Sequence, residues 1–145
     1  MIDLNMKSNL IQKAIEARNN AYAPYSGYLV GAALLCEDGS IYTGCNVENA
    51  SYGATNCAER TAVFKAVSEG RQQFSAIAIA GGRKTDMEKD MALDYAFPCG
   101  ICRQVLREFS DPEKMIVLVC KSTEDYKEMT LEQLLPESFG PANLE

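Results

Sequence analysis

The 145-residue sequence contains no histidine. That absence excludes a Ser-His-Asp triad, a Cys-His dyad and every zinc site built on an imidazole. Catalysis near neutral pH is left to a carboxylate, a thiolate, a lysine or a bound metal. Positive charge is also scarce: 14 Lys and Arg stand against 20 Asp and Glu, a formal net charge of −6. Such a chain repels polyphosphates and anionic headgroups, which argues against nucleic-acid and membrane partners and favours a neutral small molecule. No apolar run approaches the ~20 residues of a membrane-spanning helix; the longest, Tyr28–Cys36, has nine residues and contains Gly31. Met1-Ile2-Asp3-Leu4-Asn5-Met6-Lys7 lacks the long apolar segment of a secretory signal. A cytoplasmic location with reduced cysteines is therefore expected. Repeats and low-complexity tracts are absent as well.

What is present fits one domain over residues 1–145. The length falls within the ~100–200 residues typical of a single domain, and 47% apolar with 23% charged residues is an ordinary globular balance. Six cysteines are many for such a chain, and they are where chemistry is to be sought.

The hydrophobic spacing predicts an order of elements. Leu10, Ile11, Ala14, Ile15 and Ala17 recur at helical intervals behind Ser8, read as the N-cap. Ala23-Pro24-Tyr25-Ser26-Gly27 interrupts the helix. Strands are expected at 28–36 and 41–48, paired as a hairpin through Glu37-Asp38-Gly39-Ser40. A helix follows over 56–70, stopped by Gly70. Short buried strands are placed at 75–80 and 115–120, with a helix at 99–109 between them. Thr130-Leu131-Glu132-Gln133 reads as a capping box for a last short helix. A hairpin feeding β-α-β-α-β units implies one mixed sheet covered by helices on both faces. The segment 81–97, charged and then ending in Leu93-Asp94-Tyr95-Ala96-Phe97, is read as an extended, solvated loop in preference to a lid or a subunit contact.

Two segments carry the metal and acid chemistry: Asn56-Cys57-Ala58-Glu59-Arg60-Thr61 and Pro98-Cys99-Gly100-Ile101-Cys102-Arg103-Gln104. Cys99 and Cys102, three apart, share a face of a helix's first turn, and Cys57 opens another helix. Helix N-termini favour thiolate over thiol, and three thiolates suit Zn²⁺ while leaving a fourth position open, as a catalytic zinc requires. Glu59 lies two residues past Cys57, ~200° away on a regular helix. Both face one metal only if Cys57 sits at the cap and Glu59 in the first turn, which puts Glu59 beside a bound water and off the metal. Three thiolates over-neutralise the ion, so a cation is needed nearby. Arg60 is the first candidate to donate to a coordinating sulfur, and Arg103 the second. A lone Cys-x-x-Cys is shared by redox motifs and structural zinc sites, and a fourth sulfur from Cys36, Cys45 or Cys120 would make this site structural. Those three fall in predicted strands, where free cysteine behaves as a small core hydrophobe.

Cys57-Ala58-Glu59-Arg60-Thr61 followed by Pro98-Cys99-Gly100-Ile101-Cys102-Arg103-Gln104 resembles the zinc-dependent cytidine deaminases, specifically the short, homotetrameric type with three cysteine ligands. The resemblance continues through Tyr22-Ala23-Pro24-Tyr25-Ser26, Val30-Gly31-Ala32-Ala33-Leu34, Gly44-Cys45-Asn46-Val47-Glu48-Asn49, Ala66-Val67-Ser68-Glu69-Gly70 and Leu134-Leu135-Pro136. It implies a three-layer α/β/α domain with one mixed sheet of about five strands. It implies one Zn²⁺ per chain on Cys57, Cys99 and Cys102, Glu59 as the proton shuttle, and Arg60 bonded to a ligand thiolate. Asn46 and Glu48 match the pair that binds the ribose hydroxyls. On a strand they would share a face, with Val47 turned to the core. Ala58 matches the position whose N–H meets the pyrimidine carbonyl at a helix N-terminus. Tyr28 falls where the family often has a Phe stacked on the base. Tyr52 and Phe139 fall at positions that complete a neighbouring subunit's site.

The implied reaction is hydrolytic deamination of cytidine and deoxycytidine to uridine and deoxyuridine, with release of ammonia, in pyrimidine salvage. Phe97 and Ile101 depart from the family's usual Ser and Ala, and the loop before Phe97 is longer than usual. A deaminase of a modified or antibiotic cytosine nucleoside shares the zinc chemistry. A non-catalytic zinc-binding nucleoside sensor would have no use for Glu59.

Overall fold

The alternation of apolar side chains along the strands decides the layering. In the computed structural model, which describes residues 2–85 and 93–145, β1 is Tyr28–Cys36, β2 Ile41–Cys45, β3 Phe74–Arg83, β4 Ile116–Cys120 and β5 Tyr126–Thr130. Ala32 and Leu34 of β1, Ile77 and Ile79 of β3, and Val117 and Val119 of β4 point to one side. Ala33, Leu35, Ala76, Ala78, Ala80 and Leu118 point to the other. Strands buried on both faces read as continuous hydrophobic runs, and helices must cover each face. Helix α1 (Leu4–Ala17) covers one through Leu10, Ile11 and Ala14. Helices α2 (Ala58–Ser68), α3 (Gly100–Glu108) and α4 (Leu131–Leu134) cover the other through Ala62, Val63, Ala66, Leu106 and Leu131. The result is a three-layer α/β/α domain. Its five-stranded sheet has the order β2-β1-β3-β4-β5 and is mixed, since β3 and β4 pair parallel and the other pairs antiparallel.

Several boundaries differ from those expected. Helix α1 starts at Leu4, because Asp3 accepts from the Met6 N–H at 2.8 Å and is the cap; Ser8 lies inside the helix. β3 runs on to Arg83, paired along its length with β1, so residues 81–83 are strand and not loop. Of the 81–97 segment, residues 86–92 lie outside the described residues; Asp94 returns to donate to the Gly81 carbonyl at 2.9 Å. β2 ends at Cys45, and Asn46 to Glu48 continue as irregular chain held by single bridges. Val47, expected in the core, is 44% exposed. The fifth strand, Tyr126–Thr130, is a polar edge element that the residue pattern alone did not indicate.

Close approach of backbone explains two glycines. A Cβ on Gly31 would sit 2.0 Å from the Ala14 carbonyl oxygen, and one on Gly44 would sit 2.5 Å from Ala62 N and 2.6 Å from Ala58 O. These glycines seat α1 and α2 on the sheet. Gly44→Ala must push α2 away from β2 and is expected to lower stability by ~1–3 kcal/mol, read as a lower urea midpoint. An unchanged midpoint would contradict the contact.

Candidate active site

Helices α2 and α3 begin side by side. Cys57 is the N-cap of α2 with extended backbone (φ −77, ψ 157), and Cys99 is the N-cap of α3 (φ −68, ψ 167). Cys102 falls in the first turn of α3, its N–H directed at the Cys99 sulfur at 3.5 Å. The three sulfurs therefore converge, with Cys57–Cys99 at 3.9 Å and Cys99–Cys102 at 3.5 Å. All three lie within 4.8 Å of one another, and among the described residues no fourth ligating side chain joins them. Sulfurs bound to one zinc at ~2.3 Å with tetrahedral angles stand ~3.8 Å apart. The observed separations bracket that value, so the donor set fits this ion.

Arg60 supplies a second test of fit. Its Nη2 donates to the Cys57 sulfur at 3.2 Å, and its Nε is buried without a partner among the described residues. An unpartnered guanidinium N–H beside a sulfur cluster matches a site that carries excess negative charge. Burial acts to lower the Arg60 pKa, but the bond to Cys57 and the nearby Cys102 sulfur outweigh it and hold the group above its ordinary value. The neighbouring Cys102 thiol is the main cause that draws the Cys57 thiol below its ordinary value, against the effect of burial and with help from Arg60. Cys102, next to Cys57 and itself buried, is pushed above the usual thiol range.

Glu59 sits in the first turn of α2, is 3% exposed, and lines the cleft above the sulfurs. It is not a member of the cluster. Burial raises its carboxyl to about 7, the charge on Cys57 adds to this, and Arg60 opposes it. A carboxyl balanced near neutrality both accepts and gives up a proton readily. Ala58, fully buried, is the first helical residue of α2, at the end where backbone N–H groups have no partner within the helix.

The cleft has a volume of about 440 Å³ and its lining includes Cys57, Glu59 and Cys99 together with Ser26, Asn46 and Glu48. This lies within the ~300–1,000 Å³ usual for small-molecule sites. Asn46 is buried, with Oδ1 accepting from Val30 N at 2.9 Å and Nδ2 donating to Tyr28 O at 2.8 Å. Glu48 accepts from the Tyr25 and Ser26 N–H groups and from the Ser26 hydroxyl. These bonds hold its pKa below the usual carboxylate range despite some desolvation. The pair is thus brought together by side-chain bonds, Asn46 to the start of β1 and Glu48 to Tyr25 and Ser26 before it, and not by strand alternation. Tyr28 forms part of the wall, and burial followed by the neighbouring Asp94 raises its phenol pKa.

Tyr95, Ala96 and Phe97 also line the cleft, although their segment was expected to be solvated. Its aromatic residues were the available signal, since two exposed rings next to a ligand pair have no reason to be there as loop. Val30, Thr55 and Asn56 complete the lining; Val30 and Asn56 fall within segments the sequence singled out, without a role of their own there, and Thr55 carried no mark. Tyr52 is 73% exposed and Phe139 59% exposed, and neither reaches this chain's own cleft. Tyr52 packs edge-on against Tyr25 at 5.7 Å. Arg103 makes no sulfur contact; it donates to the carbonyls of Pro98 at 2.8 Å and Leu134 at 2.7 Å. Of the other cysteines, Cys36 and Cys120 are buried and Cys45 only partly so. None approaches the cluster. Among the described residues no helix is long and apolar enough to cross a membrane.

Residues 4–119 match the cytidine and deoxycytidylate deaminase zinc-binding region. A cytidine deaminase of Halalkalibacterium halodurans is 49% identical over 130 residues, covering 90% of this chain and 91% of the relative. One from Sporosarcina psychrophila is 47% identical over 135 residues, covering 93% and 92%. Among solved structures, the crystal structure of cytidine deaminase from Burkholderia pseudomallei superposes with a TM-score of 0.78 at 44% identity, covering 90% of this chain and 97% of that one.

Proposed function

The chain belongs to the cytidine and deoxycytidylate deaminase family, and on that premise we propose that it is a zinc-dependent enzyme converting cytidine and deoxycytidine to uridine and deoxyuridine, with Cys57, Cys99 and Cys102 as the metal ligands and Glu59 as the proton carrier. The observation that carries this reading is the position of Glu59: buried, open to the cleft, and outside a cluster of three sulfurs that has no fourth side-chain donor among the described residues.

Zinc held by the three sulfurs would act as a Lewis acid that makes water a nucleophile near neutral pH. The chain's own residues do the rest. The reaction adds water across C4 of the base and expels ammonia. Glu59 takes a proton from the attacking water and places it on N3, which draws electrons away from C4. It then takes the second proton of that oxygen and delivers it to the departing amine, so one carboxyl serves as base and then acid, twice. The first-turn N–H of Ala58 faces the pyrimidine carbonyl, in the position where helix N-termini bind negative charge. Asn46 and Glu48, fixed by their bonds to β1 and to Ser26, meet the ribose hydroxyls and set C4 against the water. Because binding of the sugar positions the reacting atom, free cytosine is a poor substrate. Tyr28 stacks on the base. Phe97, in place of a smaller residue at the cleft wall, narrows the range of base substituents accepted.

Arg60 offsets the negative charge of three thiolates through Cys57. Arg60→Gln keeps the packing but removes the cation, and is expected to lower zinc affinity or turnover ~10–100-fold. Unchanged zinc affinity and turnover in that variant would remove Arg60 from the site.

A single domain over residues 1–145, acting in the cytoplasm as a homotetramer in which Tyr52 and Phe139 complete the cleft of a neighbouring subunit, accounts for the exposure of these two rings. The net charge of −6 favours a neutral nucleoside over a polynucleotide or a lipid surface. The test is direct: the purified protein incubated with cytidine is expected to bleach the cytosine absorbance and release one ammonia per base. Turnover of neither cytidine nor deoxycytidine would overturn the reading.

A further inference from the structure

Phe139 is an exposed aromatic whose backbone is nonetheless held on every side. Before it, Glu137 adopts a left-handed backbone (φ 53), a conformation that costs a residue with a side chain and persists only where its surroundings require it. That turn sends residues 138–140 back along α3. There Arg107 Nε donates to the Ser138 hydroxyl at 2.9 Å, and Gln104 Nε2 donates to the Phe139 carbonyl at 2.8 Å. The Arg107 guanidinium lies against Gly140 so closely that a Cβ there would meet its Cζ at 2.5 Å and both terminal nitrogens at 2.7 Å. Gly140 is fixed from beyond as well: its N–H donates to Asn143 Oδ1 at 2.8 Å and its carbonyl accepts from Asn143 N at 3.0 Å. The ring itself belongs to neither hydrophobic cluster of this chain. Ordering a backbone costs free energy, and among the described residues the ring adds nothing to this chain's own core in return.

We infer that Arg107, assisted by Gln104, is a positioning residue that aims Phe139 into the substrate cleft of a second copy of this chain. The inference rests on the reading that Phe139 completes a neighbour's site. It adds that the aim is set from α3, the helix whose first turn carries Cys99 and Cys102. Each α3 thus serves its own metal site at one end and a neighbour's substrate at the other. A ring delivered at a fixed angle contributes to binding and alignment, whereas a ring on a loose arm must first be ordered.

The test uses the full-length zinc-loaded enzyme. Arg107→Ala is expected to keep its zinc and its assembly while kcat/KM for cytidine falls about tenfold to a hundredfold. Gly140→Ala displaces the guanidinium by a different route and is expected to show the same loss, so the test survives if Arg107→Ala folds poorly. The deciding measurement is made in mixed oligomers, formed by co-expressing differently tagged Arg107→Ala and Glu59→Gln chains with the latter in excess. The Glu59→Gln chains bring well-aimed Phe139 rings, so the rate per intact Glu59 should recover most of what Arg107→Ala lost. Strictly additive rates, with no recovery, would assign Arg107 a role within its own chain and overturn the inference. Phe139→Ala separates the two levels. If it is impaired while Arg107→Ala and Gly140→Ala are normal, the clamp fails and the role of Phe139 stands. If Phe139→Ala is itself fully active, the underlying reading fails and the clamp with it.

Discussion

Replacement of Glu59 by Gln is expected to cut kcat for cytidine by ~10³–10⁴ while the fold and the zinc content stay as they were. Gln matches Glu in shape and keeps two polar atoms in the cleft, so the packing of α2 beneath β2 is undisturbed. It has no ionisable oxygen, so it can take no proton from water and pass none to N3 or to the leaving amine. Since the carboxylate is 3% exposed and burial already raises its pKa to about 7, a neutral amide costs the folded chain nothing by the same measure. Glu59→Asp retains a titratable group but withdraws it by one methylene, and its rate should fall between the two. Near-normal turnover by Glu59→Gln would show that the protons travel by another route.

Loss of a metal ligand has an effect of comparable size and a different signature. Cys102 is fully buried at the junction of α2 and α3. Cys102→Ser removes a sulfur and offers a hydroxyl that does not ionise near pH 7, so the site keeps two thiolates where zinc needs three. Bound zinc is expected to fall from about one per chain to a small fraction, with turnover lost in proportion. Thermal stability should drop as well, because the ion joins the N-termini of two helices whose sulfurs repel one another when both are ionised. Replacement of Cys36, Cys45 or Cys120 by Ala should leave the zinc content unchanged, since none of the three reaches the cluster. A Cys102→Ser protein that still carried a full complement of zinc would refute the ligand assignment.

The sequence was most legible where one residue type has few alternatives. Without histidine, six cysteines pointed to thiolate chemistry but left redox and structural-zinc readings open; the ordered match to a deaminase family singled out Cys57, Cys99, Cys102 and Glu59, and the helix-start spacing of Cys57 and Cys99 matched the caps they occupy. The double-sided burial of β1 and β4 was equally plain, because no other arrangement hides runs such as Val117-Leu118-Val119. It was less informative where short-range bonds displace regular structure. Asn46 and Glu48 reach the cleft through side-chain bonds to Val30, Tyr28 and Ser26, which ended β2 early and turned Val47 outward. The cap of α1 was misplaced because Ser8 and Asp3 are both good N-cap residues, and only the packing of α1 on Ala33 and Ala78 decides between them. The edge strand Tyr126–Thr130 escaped notice because an edge buries little and needs no apolar alternation. Tyr95 and Phe97 were hidden by the charged residues before them, and it is the return of Asp94 to Gly81 that brings them over the site.

X-ray absorption at the zinc edge tests the central claim most directly. The zinc is expected to show three sulfurs at ~2.3 Å and one light oxygen-type scatterer at ~2.0–2.1 Å, unchanged in Glu59→Gln. A shell of four sulfurs, or a light-atom scatterer that vanishes when Glu59 is replaced, would contradict the claim, the first by closing the site and the second by placing Glu59 on the metal.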